Sequence, residues 1–168
     1  MKKWIALMLL VMLMLPAAAM AENVQPDITF TYNGQTYDCR FFIYEKCCGE
    51  VDTSYDLRFE PAGCDRVDSA TLTLPTTIET GTQYVLHAGD GMQWLAFYTT
   101  GKDGIRNFVS EPGTLFGSGM IAPEDYLEVI VHSAVYERGV LTLNASLKGV
   151  FLSGAERFEI DFEVSFGA

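Results

Sequence analysis

The sequence predicts an all-β protein, an antiparallel β-sandwich of about nine or ten strands joined by hairpins. Three observations predict this fold class. Apolar residues after position 26 recur with period two rather than with the 3.6-residue period of a helix. The prolines from Pro26 onward fall between the apolar segments, and proline cannot donate to a strand ladder. Turn signals separate the segments, so consecutive hairpins are expected, and an up-and-down β-barrel is the alternative because it uses the same hairpins.

Turn chemistry places the hairpins. Asn33-Gly34 is the strongest short hairpin signal, Asp103-Gly104 predicts a second hairpin, and Gly89-Asp90-Gly91 a third. The pairs expected around the first turn are Tyr32 with Gln35, Phe30 with Tyr37, and Ile28 with Cys39. Strands are expected near residues 28–32, 35–44, 54–59, 69–74, 82–88, 92–100, 105–109, 127–136, 140–151 and 158–166.

The last three strands allow the register to be predicted as well. From Phe158 to Phe166 apolar and polar residues alternate, which is typical of a strand with one wet and one dry face. A two-residue turn at Ser153-Gly154 makes the apolar faces coincide, whereas a one-residue slip would oppose apolar to polar residues. The preceding loop is expected to be Glu137-Arg138-Gly139, because a two-residue loop would misalign the faces. The predicted pairs are Leu147–Ile160, Ala145–Phe162, Leu143–Val164, Val131–Ala145 and Val129–Leu147.

This register arranges polar side chains in rows across the outer face of the predicted sheet. One of these rows contains His132, Asn144 and Glu163, and we interpret these three residues as candidate ligand contacts. The three rows are Glu128–Lys148–Glu159, Ile130–Ser146–Asp161 and His132–Asn144–Glu163.

Three acids on one face of the last strand suggest two further hypotheses. Glu159, Asp161 and Glu163 offer oxygen ligands, so a weak calcium site is one hypothesis, and a solvated face is the alternative. Asp161 and Glu163 would lie about 6.6 Å apart along the strand, a separation that glycoside hydrolysis permits. Motifs of other enzymes are absent: the sequence contains no G-x-S-x-G, no H-E-x-x-H, no Walker loop and no dinucleotide fingerprint.

An aromatic strand and a long loop are the other candidate binding features. Trp94 and Tyr98 share one face of a predicted strand, and they form either part of a doubly buried central strand or an exposed platform for sugars or peptides. The loop over residues 111–126 is long for a compact domain, and long loops on β scaffolds frequently bind ligands.

The N-terminus predicts export. Lys2 and Lys3, an apolar run, and small residues ending at Ala21 have the pattern of a secretory signal peptide over residues 1–21, followed by a single β domain over residues 22–168. The formal net charge is −11, and the leader would remove two lysines and no acid. Such a chain should bind neither nucleic acid nor anionic lipid, and should prefer neutral sugars, cationic peptides or calcium.

The four cysteines predict a disulfide in an exported protein. Cys39 and Cys47 would lie more than about 20 Å apart on a continuous strand, whereas a disulfide requires Cα atoms within about 7 Å. The favoured pair is therefore Cys39–Cys64, with Cys47 and Cys48 vicinal or free, although Cys64 could instead reach one of that adjacent pair.

These observations lead to one main functional hypothesis and two alternatives. The main one is a secreted, non-catalytic binding or interaction module, in the extracellular space or the cell envelope, that recognises a glycan or a peptide. The alternatives are a small extracellular hydrolase using the acids of the last strand, and a structural envelope protein. No cofactor is implied apart from the calcium hypothesis.

Overall fold

A computed structural model describes residues 27–48, 52–87, 95–109 and 123–167 of the chain. These residues form eleven strands and no helix, arranged in two antiparallel sheets that do not close into a barrel. The β-sandwich prediction is therefore confirmed, and the barrel alternative is wrong. Among the described residues there is no helix of the length and apolarity that crossing a membrane requires.

The two sheets have six and five strands. The larger sheet contains, in spatial order, β2 (Gln35–Tyr37), β1 (Asp27–Tyr32), β11 (Glu156–Gly167), β10 (Val140–Phe151), β9 (Tyr126–Glu137) and β6 (Gln83–His87). The smaller sheet contains β3 (Cys39–Cys48), β4 (Asp52–Pro61), β5 (Ser69–Pro75), β7 (Ala96–Gly101) and β8 (Gly104–Val109) in sequence order.

Aromatic side chains join the two sheets at the centre of the sandwich. Phe97 and Phe108 come from the five-stranded sheet, and Phe151 and Phe158 come from the six-stranded sheet. Ring centroids lie 4.5 Å apart for Phe108–Phe151 and 5.2 Å apart for Phe97–Phe158. All four side chains are buried, so their burial contributes both the hydrophobic transfer energy and aromatic pair contacts.

The register predicted for the last three strands is confirmed. β10 pairs with β11 so that Ala145 lies opposite Phe162, and β9 pairs with β10 so that Val129 lies opposite Leu147. Every second residue of β11 is buried, from Glu156 to Phe166. The alternating pattern fixes this register because a slip by one residue would place its apolar side chains in water.

The loop between β9 and β10 differs from the prediction. Val140 pairs with Glu137, so the loop contains two residues rather than three. Arg138 and Gly139 both have positive φ angles, of 52° and 78°. Positive φ at both central residues is the geometry of a tight two-residue hairpin turn.

A β-bulge compensates for the shorter loop. Asn144 lies opposite Ser133, whereas the next residue, Ala145, lies opposite Val131, which makes His132 the extra residue of β9. The prediction of a three-residue loop is wrong because a bulge shifts the register by one residue, as a third loop residue would have done. Both solutions bring the apolar faces into alignment, so the hydrophobic pattern cannot distinguish them.

The first hairpin is confirmed only near its turn. Tyr32 pairs with Gln35 and Phe30 with Tyr37, but the chain then leaves this sheet at Asp38, and Cys39 begins β3 in the other sheet. The predicted pair between Cys39 and residue 28 is therefore wrong. A continued hairpin would set residue 41 opposite the proline at position 26, which has no N–H for the ladder. The hairpin predicted at Asp103-Gly104 joins β7 and β8, and the one at residues 89–91 lies outside the described residues.

The predicted disulfide between Cys39 and Cys64 is not present. Both residues are free thiols. The Cys39 sulfur donates to the Arg40 carbonyl oxygen at 3.3 Å, and Cys64 is buried beside Tyr37. The two thiols thus have different neighbours, because Cys39 moves to the second sheet instead of continuing the first hairpin. The side chains of Cys47 and Cys48 lie outside the described set.

We expect Cys39 to be slow to react with thiol reagents in the folded protein. Burial raises the pKa of its thiol to about 12. A backbone hydrogen bond at Glu60 opposes this increase, and the charge of Glu60 adds a smaller one. The nucleophilic thiolate is therefore scarce at pH 8. In a Cys47→Ser/Cys48→Ser variant, both remaining thiols should react with an aromatic disulfide reagent only after the protein is denatured. If the chain, denatured without prior reduction, shows no reactive thiols, then Cys39 and Cys64 form the disulfide that the sequence predicts.

Candidate functional site

The outer face of the six-stranded sheet carries the predicted polar rows, with one change. Lys148 pairs with both Glu128 and Glu159, and Ser146 with both Ile130 and Asp161, as the sequence predicts. The rows Glu128–Lys148–Glu159 and Ile130–Ser146–Asp161 are therefore confirmed as cross-strand arrangements of residues.

The third row, His132–Asn144–Glu163, is rearranged by the β-bulge in β9. Asn144 lies opposite Glu163 and donates from Nδ2 to its carboxylate at 2.9 Å, but its partner on β9 is Ser133. The exposed His132 instead lies with Nε2 at 3.1 Å from the hydroxyl of Ser146. The structure thus brings Asn144 and Glu163 together, while His132 contacts the neighbouring row.

The three acids proposed as metal ligands lie in a line. Glu159, Asp161 and Glu163 are exposed alternate residues of β11, and such residues are about 6.6 Å apart along a strand. Within the described ranges no group of three or more histidine, cysteine, aspartate or glutamate side chains could hold a metal ion. The line of carboxylates therefore offers single ligands rather than a coordination shell.

The outer face of the five-stranded sheet contains the second predicted feature. Tyr98 is half-buried on β7 and pairs with Thr71, which pairs with Arg58, which pairs with Phe42. These four residues form one row across four strands, and we call it the aromatic row. The other predicted member of a platform, Trp94, lies outside the described residues.

Exposure along the aromatic row is greatest at its β3 end. Phe42 is 39 % exposed, whereas Thr71 at the centre of the sheet is only 3 % exposed. Neighbouring strands are about 4.8 Å apart, so the Phe42 and Tyr98 backbones lie about 14 Å apart. A ligand that contacts both rings must therefore be elongated.

Arg58 gives the aromatic row a partly exposed guanidinium group. Its Nη2 lies 2.8 Å from the carboxylate of Glu60, and its Nε is buried without a hydrogen-bond partner among the described residues. A buried donor without an acceptor is uncommon in native proteins. Sequence reasoning missed Phe42 and Arg58, because their strands belong to a hairpin whose pairing with β5 had not been predicted.

The described end of the 111–126 loop is anchored to the sandwich. Asp125 is fully buried, and its two carboxylate oxygens accept hydrogen bonds from the backbone nitrogens of Leu152 at 2.8 Å and Ser153 at 2.9 Å. Both of those turn residues have positive φ, of 54° and 57°. Asp125 thus holds the β10–β11 turn in a conformation that non-glycine residues rarely adopt.

One buried titratable cluster lies away from both outer faces. The Tyr32 hydroxyl donates to the Glu156 carboxylate, whose other oxygen is 2.7 Å from Arg106 Nη1. The Arg106 guanidinium also contacts Asp103 at 2.8 Å, and Arg66 reaches the same Asp103 oxygen at 3.2 Å. The cluster ties β1 and β11 of one sheet to β8 of the other. Burial, the hydrogen bond to Glu156 and the charge of that carboxylate all raise the pKa of Tyr32.

Comparison of the chain with protein-family models, with curated proteins and with solved structures finds no match. Function is therefore argued from the geometry of these surfaces.

Proposed function

We propose that the protein is an exported, non-catalytic module that binds a neutral oligosaccharide on the aromatic row of the five-stranded sheet. The observation that carries the proposal is the juxtaposition of Phe42, Arg58 and Tyr98 on one outward face. A peptide ligand is the alternative that the binding test separates.

The chemistry of the aromatic row suits a sugar. An aromatic ring offers a flat apolar surface to the C–H face of a pyranose, and a tyrosine adds a polar tip. The guanidinium of Arg58, whose side chain is 39 % exposed, supplies N–H donors at the surface of the row. Binding sites combine such apolar surface with a few placed polar groups, and the latter give orientation.

Charge and the N-terminal sequence support the rest of the proposal. The net charge of −11 disfavours anionic polymers, including nucleic acid, and so favours a neutral glycan. The pattern of residues 1–21 supports export of a single domain over residues 22–168 to the extracellular space or the cell envelope.

The test is glycan binding by the mature protein and by two matched variants. A Tyr98→Ala change should weaken binding of an oligosaccharide hit by about tenfold, equivalent to about 1.4 kcal/mol, in isothermal titration calorimetry. A Val135→Ala change shortens an exposed side chain on β9 of the six-stranded sheet and should leave this affinity unchanged. A glycan screen without hits, or equal affinities of both variants, would contradict the proposal, and a basic peptide that binds in a Tyr98-dependent way would favour the peptide alternative.

Fluorescence adds an independent readout. Of the two tryptophans, Trp4 lies in the leader, so Trp94 reports alone in the mature chain. A red-shifted emission that iodide quenches would add Trp94 to the aromatic surface. A blue-shifted emission that resists iodide would remove Trp94 from it and leave Phe42, Arg58 and Tyr98 to bind.

A further inference from the structure

A groove of about 510 Å³ lies at the end of the sandwich where the chain crosses from β5 to β6. One wall is the connecting segment over residues 76–80, and the other is formed by Ala134 and Tyr136 near the end of β9. The groove is separate from the aromatic row, because Tyr136 belongs to the six-stranded sheet and Phe42, Arg58 and Tyr98 to the five-stranded sheet.

Hydrogen bonds between the two walls fix their relative position. The amide of Ala134 donates to the Thr80 hydroxyl at 2.9 Å, which in turn donates to the Ala134 carbonyl at 3.3 Å. Gly81 donates its N–H to the Val131 carbonyl at 2.8 Å, and Val131 donates to Thr82 at 2.8 Å. A preformed site loses little conformational entropy when a ligand binds.

Tyr136 is fixed with its ring facing the open space. Its hydroxyl donates to the Thr76 carbonyl at 3.1 Å and accepts from the Ile78 amide at 3.3 Å. The side chain nevertheless remains 49 % exposed, because the β9 strand carries it beyond the end of the core. The hydroxyl is thus occupied by the connecting segment, while much of the ring stays accessible.

The remaining lining residues define the charge of the groove. Among the described residues that line the groove, the exposed Glu79 carries the single charged side chain, while Ala134 supplies apolar surface and Thr77 a hydroxyl. Within the part of the chain that the structure describes, no residue lining the groove is Lys, Arg or His. Tyr84 is a neighbour of these residues. Burial raises the pKa of Tyr84, and Tyr136 and Glu79 add to this increase.

We propose that this groove binds an alkylammonium group. The face of Tyr136 attracts a cation through its ring quadrupole, and the Glu79 carboxylate supplies the opposite charge. The half-buried Ala134, which lines the groove, offers apolar contact to the methylene stem of such a ligand. The net charge of −11 raises the local concentration of cations around the molecule. A free diamine and a lysine side chain on a peptide present the same group to the groove.

The experiment is titration of the ¹⁵N-labelled mature protein with 1,5-diaminopentane and with Nα-acetyl-lysine amide. Saturable shifts are expected at the amides of Ile78, Thr80 and Ala134 and absent from β7. Stronger binding of the diamine indicates a free amine, and stronger binding of the lysine derivative indicates a peptide side chain. The neutral probe 1,5-pentanediol should give no shifts at the same concentrations, and equal binding of the diol would overturn the proposal.

Variants locate the contacts. Glu79→Gln should weaken diamine binding at least fivefold and reduce its dependence on salt, whereas Glu159→Gln on the outer face should leave it unchanged. Tyr136→Ala should also weaken it, and because Glu79 is exposed, its variant keeps the test valid if the tyrosine variant does not fold. Unchanged affinity in Glu79→Gln would refute the assignment. Tyr98→Ala should bind the diamine normally, so this proposal and the glycan proposal fail separately.

Discussion

Replacing Asp125 with alanine is expected to lower the free energy of unfolding by about 3–5 kcal/mol. The carboxylate is fully buried and accepts two backbone hydrogen bonds, from Leu152 and Ser153. A hydrogen bond to a charged group contributes about 1.5–3 kcal/mol, and the alanine variant would leave both amides without this acceptor. The turn would also lose the contact that stabilises its positive φ angles.

Asparagine at this position should be almost as destabilising as alanine. The two amides bond to different oxygens of Asp125, and an asparagine side chain offers one oxygen and one NH₂ group. One backbone N–H would then face another donor. Urea denaturation measures the effect, and Asp161→Ala on the exposed face of β11 is the control, expected within about 0.5 kcal/mol of the parent protein. A loss below about 1 kcal/mol in Asp125→Ala would contradict this account of the turn.

Removal of the Glu156 carboxylate is the second large expected effect. Glu156→Ala would leave the buried Tyr32 hydroxyl and the half-buried Arg106 guanidinium without their shared acceptor. We expect a loss of about 3 kcal/mol, at the lower end for a broken buried pair because Arg106 keeps Asp103 as a partner. Glu156→Gln retains one acceptor and should cost less. A similar loss in both variants would show that the charge and the second acceptor oxygen of Glu156, rather than its packing, dominate.

The dependence of the free energy of unfolding on alkaline pH gives an independent check on the same cluster. The pKa of Tyr32 is raised from its ordinary value of 10.0, first by burial and then by Glu156. A raised pKa means that the folded state retains the proton longer than the unfolded state, so stability is intact below pH 10 and falls as the pH rises further. Tyr32→Phe should remove part of this fall between pH 10 and 11. Other titrating groups are common to both proteins, so identical slopes would indicate that Tyr32 does not contribute.

The register of the last hairpins could be predicted because one face of each strand is buried. The alternation from Phe158 to Phe166 excludes a slip by one residue, the turn at Ser153-Gly154 sets the alignment with β10, and the structure has that alignment. The bulge at His132 could not be predicted, because an extra loop residue and an extra strand residue restore the same apolar alignment. The candidate site changed with it, since His132 contacts Ser146 instead of joining Asn144.

Contacts between distant segments could not be predicted from the sequence for a different reason. Local turn signals identify hairpins but not which sheet the next strand joins, so the crossing at Asp38 and the row containing Phe42, Arg58 and Tyr98 went unseen. The groove at Tyr136 likewise depends on a connecting segment that folds back against β9. Aspartate in a loop is a common surface residue, so nothing in the sequence distinguished the buried Asp125.

The pairing of β1 with β11 determines the order in which the larger sheet can be completed. Asp27 lies opposite Glu163, and β11 separates the β1–β2 hairpin from β10. Residues 27–37 are synthesised before residues 156–167 and therefore have no place in that sheet until the later segment has been made. Such distant pairing is typical of β proteins that fold in about milliseconds to seconds. A chain that emerges progressively from a ribosome thus remains without its completed six-stranded sheet until β11, a strand of twelve residues, has emerged.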